Sequence, residues 1–484
     1  MADVERMIAD AWEYVDEVWE DVVADIDYLL KVDSVEDKAH AAAHMPFGPG
    51  PREALSRALE IANRLGLSTT DCDGHIGFGD LVGESDDHIA TIAHADIVPV
   101  GTGWDFNPLA ATRKDGLLVG RGVLDDKGPL VLSLYAAHFF VRQCERTGKR
   151  LPLTLRCIVG TNEETGMQDV QHYLEYHPQP LFCFTPDSSF PLVCGEKGQF
   201  FASVATRYMP MEDMALQQLE GGTVFNAVPG EASALVRARS VPSSAEGVEA
   251  IAEGKSERGD QLVRLRALGV GGHAAMPEGT RNAIGMLTNY LLQSGLCDGP
   301  ERPFLEFEQM LLSDAYGCGL GIATDDDAFG ALTCVGGTVR TECREGEVRF
   351  VQSIDIRYPR GITGEVLERV LSKEASDHGL ELTDVTDNRP FYLSPDSWQV
   401  RELVDTYNRV FEREEEPVTM GGGTYARHFD RAVAFGPYDE SHTLPDWAGQ
   451  EHGPNEAVAE ETLRRALVTY IVALSRLNRA EGWL

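Results

Sequence analysis

"RGVLDDKGPLVLSLYAAHFFVRQCERTG", residues 121–148, is the stretch on which the fold turns. An apolar Val-Leu pair runs into two adjacent aspartates, and a long apolar-patterned segment follows at once. Pro129 suits the first turn of a helix and Gly148 its end, so the stretch reads as a turn feeding a helix. A solvated turn is the bland account of Asp125-Asp126. The neighbouring sequence argues for more. "HIATIAHAD" (88–96), "LPLTLRCIVGTNEE" (151–164), "LFCFTPDS" (181–188) and "RAVAFGPYDESH" (431–442) are short apolar runs that each end in acids or histidines. Continuous apolar runs with helical patterns between them read as buried parallel strands of an α/β domain. Open α/β sheets bind ligands beyond the carboxyl ends of their strands, which is where these polar residues fall.

The bulk numbers bound the function. At 484 residues the chain is too long for one ordinary core, so two domains are expected. Hydrophobic residues make up 43% and charged residues 25%, as in a soluble enzyme. Lys and Arg total 42 against 78 Asp and Glu, a net charge of −36, which excludes nucleic acid and anionic membrane as natural partners. Residues 1–35 carry apolar residues at helical spacing with acids between them, so they read as an amphipathic helix and not a signal peptide. No run approaches a membrane span. Nine scattered cysteines without a CxxC fit reduced thiols in a cytoplasm.

The middle of the chain has another texture. "QFFASVATRYMP" (199–210), "QLVRLRALGV" (261–270) and "EVRFVQSIDIRYP" (347–359) alternate with period two, and two amphipathic helices (281–295 and 364–379) lie among them. This predicts an α+β domain over residues 201–386, inserted into an α/β domain formed by 1–200 and 387–484.

His94, Asp125, Glu164, Asp187 and His452 all fall at or beyond the expected strand ends. Each alone reads as a satisfied or solvated residue. Together, two imidazoles and three carboxylates suit zinc, manganese or cobalt. One carboxylate can bridge two such ions.

Six segments, in order, resemble the motifs of the co-catalytic metallopeptidases: "HADIVPVGTGW" (94–104), "GRGVLDDKGP" (120–129), "GTNEETG" (160–166), "TPDSSFP" (185–191), "GGHAAMPEGTRNA" (271–283) and "HGPNE" (452–456). That clan includes aminoacylase, carnosinase, carboxypeptidase G and succinyl-diaminopimelate desuccinylase. "MPFGPGPREAL" (45–55), "IDIRYP" (354–359) and "GGGTYARHF" (421–429) look like its PepV/Sapep-type bacterial dipeptidases. The resemblance implies a catalytic domain with a mostly parallel, helix-flanked sheet and an enlarged ferredoxin-like lid. It makes Asp125 the bridging ligand, with His94 and Asp187 on one metal and Glu164 and His452 on the other. Asp96 would accept the other N–H of the His94 imidazole. Glu163 would be the general base, although "NEET" alone reads as a solvated helix start. His273 would stabilise the oxyanion. Asn226, Arg357 and the backbone of Gly421 to Gly423, notably Gly422 and Gly423, would hold the substrate carboxylate. The Asp125-Asp126 peptide would be cis, with Lys127 offsetting Asp126. His428 and His442 are taken as structural or supporting, and Cys183 and Cys194 as no ligands.

The expected activity is dipeptide hydrolysis with two divalent ions, zinc first and manganese or cobalt as alternatives, by a cytoplasmic monomer whose partner is a small peptide. An N-acyl-amino-acid deacylase or desuccinylase is the alternative within the clan. An inactive metal-binding scaffold is the alternative of another class, and it would be expected to lack Glu163 or a ligand. A phosphoesterase finds no basic phosphate cradle.

Overall fold

The computed structural model describes residues 2–256, 258–439 and 443–479. The chain forms two compact units. Met1–Gly195, Tyr392–Val418 and Gly423–Leu484 make up the first, and Glu196–Phe391 with Thr419–Gly422 the second.

The sheet of the first unit runs in the order Ser68–Cys72, Ile76–Leu81, Leu153–Gly160, Ser85–His94, Phe182–Thr185, Ala432–Ala434, Val193–Glu196. The four apolar runs of the sequence are its centre, and they pair in parallel. They are buried along most of their length because helices cover the sheet. The flanking strands pair antiparallel, so the sheet is mixed and its parallel part is confined to these four strands.

Helix Lys127–Thr147 packs on this centre and is closed by Gly148 at φ 66°, a left-handed conformation that glycine adopts without strain. Helices Ala2–Leu30 and Glu460–Leu477 pack against it. The first buries Tyr14, Val15, Val18, Val22 and Ile26, the stripe that its spacing predicts. A three-stranded ribbon joins Thr112–Lys114, Leu117–Val119 and Ala457–Ala459, so the chain before Gly120 lies beside the chain after Glu456.

The second unit is an eight-stranded antiparallel run in the order Val248–Lys255, Gln261–Leu268, Glu231–Ala238, Leu216–Gly221, Thr333–Arg344, Glu347–Tyr358, Gly198–Ala205, Glu381–Asn388. Helices Ala283–Gln293, Arg302–Leu311 and Gly364–Asp377 pack on it around Phe304, Phe307, Phe350 and Tyr358. Sequence alternation reveals three of these strands. It misses the other five, among them Glu381–Asn388, whose residues are mostly exposed, and Thr333–Arg344, whose outer end is polar. Residues 419–422 join this unit through long-range bonds: Lys197 N–H donates to the Met420 carbonyl (2.9 Å), and the Thr419 hydroxyl donates to the Ala328 carbonyl (2.5 Å).

Candidate metal centre

The parallel strands deliver the site. Ser85–His94 ends on His94, Leu153–Gly160 leads to Glu163 and Glu164, and Phe182–Thr185 leads to Asp187. The turn before helix Lys127–Thr147 supplies Asp125, and a loop residue at φ 61° supplies His452. The Asp125 carboxylate lies between the two imidazoles. Its Oδ1 is 2.9 Å from His94 Nε2, and its Oδ2 is 2.8 Å from His452 Nε2. Asp187 Oδ2 lies 3.8 Å from His94 Nε2, and Glu164 Oε2 lies 3.3 Å from His452 Nε2. Potential ligand atoms of His94, Asp125 and Glu164 lie within 4.8 Å of one another, as do those of His94, Glu163 and Asp187. All of these residues belong to the first unit.

Asp126 turns the other way. The Asp125-Asp126 peptide is cis, and Asp126 Oδ2 accepts the backbone N–H of His94 at 3.0 Å. Adjacent acids therefore do different work: one faces the cluster and the other fixes the strand end that carries a neighbouring imidazole.

One expectation needs correction and a second needs extending. Lys127 does not offset Asp126. Its ammonium is buried and donates to the carbonyls of Leu29 (3.2 Å) and Val32 (2.8 Å), which tie the helix start to the end of helix Ala2–Leu30. Asp96 lies past the strand end, and the nearest oxygen it offers His94 Nδ1 is its backbone carbonyl at 3.1 Å. Its carboxylate is 3.5 Å from that nitrogen and accepts the backbone N–H groups of Glu163 (3.3 Å) and Glu164 (3.1 Å). Asp96 thus fixes the turn that carries two acids of the cluster. Asp169, which the sequence did not single out, holds the same turn. Its Oδ2 accepts N–H from Thr161 (2.6 Å) and Asn162 (3.1 Å) and the Tyr425 hydroxyl (2.5 Å).

The electrostatics are those of partly buried acids crowded together. Burial, then Asp187, pushes the Glu163 carboxyl well above its usual range. Burial and Asp125 push Glu164 up and Asp187 up to about 7. Burial opposes ionisation of Asp125 as well, but the two imidazoles overcome it and draw its carboxyl far down. Hydrogen bonds to Asp125 and Glu164 raise His452 to about 11. The donors fit divalent cations by two further tests. Glu164 Oε1 is buried with no hydrogen-bond partner, and the crowded carboxylates lack a compensating Lys or Arg at hydrogen-bond range among the described residues.

The inserted unit gathers its own candidates. Ala227–Val228 pairs with Gly272–His273, and the Ala274 N–H donates to the Asn226 carbonyl at 3.0 Å, so Asn226 and His273 are neighbours. The Arg357 fork is already occupied: Nε and Nη2 donate to the two oxygens of Asp355 at 2.7 and 2.9 Å. Nη1 donates to the Gly421 carbonyl at 3.2 Å. Asp355 is wholly buried and went unnoticed in the sequence, although it stands in the quoted "IDIRYP". Gly422 closes the segment that belongs to the inserted unit, and Gly423 opens the return to the first. His428 is held down to about 4 by burial, as a structural imidazole is. Cys183 and Cys194 are buried free thiols. His442 lies outside the described residues.

The profile of peptidase family M20/M25/M40 matches residues 90–476. The chain belongs to this family. A Bacillus subtilis (strain 168) protein, YtjP, provisionally named a dipeptidase, is 31% identical over 472 residues, covering 95% of this chain and 98% of its own. A Staphylococcus haemolyticus protein with the same provisional naming is 30% identical over 477 residues, covering 96% and 98%. Among solved structures, human carnosine dipeptidase 1 superposes with a TM-score of 0.56 at 15% identity, covering 98% of this chain and all of that one. The Saccharomyces cerevisiae di-peptidase Dug1p gives 0.59 at 12% identity, covering 98% of each. At these identities the superpositions speak for the fold. The expected α/β catalytic unit with a separate sheet domain, and the expected hydrolytic enzyme of the metallopeptidase clan, are both borne out.

One further pair in this M20 peptidase escaped the sequence reading. Arg121 and Glu456 are both buried and form an ion pair at 2.5 Å. Both stand in quoted motifs, "GRGVLDDKGP" and "HGPNE", but nothing local in either says that they meet.

Proposed function

We propose that this M20 peptidase is a dinuclear metal-dependent dipeptidase acting on short peptides with a free C-terminus. The observation that carries the reading is the placement of Asp125, with one oxygen toward His94 and the other toward His452. That is what a carboxylate shared by two ions requires. In this reading His94 and Asp187 complete one ion, and Glu164 and His452 the other. Zinc suits the mixed imidazole and carboxylate donors best, and manganese or cobalt would be accepted by the same set.

Bound divalent ions supply Lewis acidity and lower the pKa of water. Glu163, in the cluster but not needed as a ligand, takes the proton from the attacking water and delivers it to the leaving amine. The raised proton affinity that burial gives it suits a group that must hold a proton between these steps. Asp96, Asp169 and Asp126 keep the ligand-bearing turns in place. The inserted unit, for which we keep the lid role, supplies the substrate groups. His273 donates to the developing oxyanion, worth on the order of 10²–10³ in rate. Asn226, Arg357, Gly422 and Gly423 hold the substrate carboxylate. Because Asp355 takes two of the five N–H groups of Arg357 and the Gly421 carbonyl a third, two remain for that task.

The protein is proposed to act as a cytoplasmic monomer. All nine cysteines are free, and no helix among the described residues is long and apolar enough to cross a membrane. Metal analysis with a screen of dipeptides, dipeptide amides and N-acyl amino acids tests the function. The expected result is two ions per chain and turnover of free dipeptides. Preference for N-acyl amino acids would replace the dipeptidase reading with a deacylase, and efficient hydrolysis of amides would remove the carboxylate clamp.

A further inference from the structure

We infer that Glu456 and Arg121 are positioning residues that lock the loop of Asp125 to the loop of His452, and so set the spacing between the two halves of the metal centre. The inference rests on the metal-centre reading above.

Glu456 Oε1 accepts three backbone N–H groups of one loop: Gly122 (3.0 Å), Leu124 (3.1 Å) and Asp125 (3.3 Å). Its Oε2 accepts from Arg121 Nη1. Arg121 Nη2 then donates to the carbonyl of His452 itself at 2.9 Å. The guanidinium lies 5.4 Å from the ring centroid of Trp104, which limits its freedom to swing. The path Asp125 N–H, Glu456, Arg121, His452 C=O therefore closes a ring around two groups that must face each other. The ribbon pairing of Ala457 with Val119 continues the same join one residue away.

Geometry favours a positioning role over bulk stabilisation. A buried ion pair is a weak source of stability, since desolvation of both charges offsets their attraction. This one directs its remaining bonds to the backbone of two ligand residues, where a small shift moves an oxygen or an imidazole. Loss of such outer partners costs about 10–100-fold in metal affinity. Glu456 is not a catalytic residue here. Both of its oxygens are taken up by the loop N–H groups and Arg121.

The test uses the full chain loaded with Co²⁺, whose visible absorption reports ligand geometry, and chelator competition for affinity. Glu456→Gln keeps an acceptor for the loop N–H groups but loses the ion pair. Arg121→Lys keeps the charge but cannot bridge to both Glu456 and the His452 carbonyl. Both variants are expected to weaken binding about 10–100-fold and to shift the Co²⁺ spectrum. Arg121→Lys keeps the question open to test if Glu456→Gln does not fold. Folded variants with wild-type affinity and spectrum would overturn the inference. So would a loss of melting temperature with an unchanged spectrum, since that is what a merely structural pair would give. Failure of the metal-centre reading looks different: the wild-type chain itself would then bind no pair of ions in the same titration.

Discussion

In the first unit Asp125, Glu163, Glu164 and Asp187 crowd around two imidazoles, and one oxygen of Glu164 has no partner. In the inserted unit a buried acid, Asp355, meets a buried base, Arg357, through two parallel hydrogen bonds. The cluster of the first unit is partly open to water, its His452 side chain 54% exposed, whereas the Asp355–Arg357 pair is buried. In the second each charge meets its opposite directly, while in the first the acids outnumber the imidazoles two to one. A region that balances its own charge is a finished piece of structure, whereas crowded carboxylates with an unpartnered oxygen fit cations from outside. The difference separates the part of the molecule built for chemistry from the part built to hold and orient.

The sharpest way to break this comparison is to remove the shared acid. Asp125→Ala is expected to bind neither ion tightly and to lose turnover. Asp126→Ala should keep metal and lose affinity modestly, because Asp126 acts on His94 through its backbone. Metal content after gel filtration decides. Equal losses in both variants would leave the bridging assignment without support.

Glu163→Ala should keep both ions and lose about 10²–10⁴ in kcat, the usual worth of a positioned base. Wild-type turnover in a metal-replete variant would take Glu163 out of the reaction.

In the inserted unit the expectation is reversed: stability falls and metal binding does not. Asp355→Asn strands the Arg357 cation out of water, a change that costs about 3–5 kcal/mol when one partner of a buried pair is removed. Denaturant unfolding should show the loss, while metal titration of the folded fraction matches the wild type. Metal loss in this variant would mean that the two regions are not energetically separate.

Proton linkage sharpens the contrast further. His94 and His452 hold protons more tightly in the folded, metal-free chain than when unfolded, His452 up to about 11. Their contribution is complete below the unfolded imidazole value near 6.5 and fades as pH rises above it. His88 and His428, held down to about 4 by burial, act in the opposite sense, but between about 4 and 6.5. The melting temperature of the metal-free chain should therefore fall between pH 7 and pH 9. Added Zn²⁺ competes with the same protons, so its stabilising effect should grow over that range. A zinc effect that shrinks as pH rises would contradict the ligand set.

The smallest effect belongs to the exposed charge. The net −36 repels itself and is screened by salt, so moving from 0.1 to 1 M KCl should raise the melting temperature by a few degrees. It should not replace divalent ions in restoring activity to a chelated sample. Activity recovered by KCl alone would show that the clustered acids need only screening.

The sequence by itself determined the strands and their use. Apolar runs that end in His94, Glu163–Glu164 and Asp187 announce buried parallel strands and mark where a site must lie, since both signals are local in the chain. Tertiary structure decided what each side chain touches. Asp96 caps a turn as well as standing beside an imidazole, Lys127 ties down a helix end, and residues 419–422 leave their neighbours for the inserted unit. Arg121 and Glu456 are 335 residues apart, and Asp355 faces Arg357 from two residues away on the same strand. Hydrogen bonds of this kind depend on distances that a sequence pattern does not carry. A period of two or of 3.6 tells which face a residue shares, and only the folded chain sets what stands opposite that face.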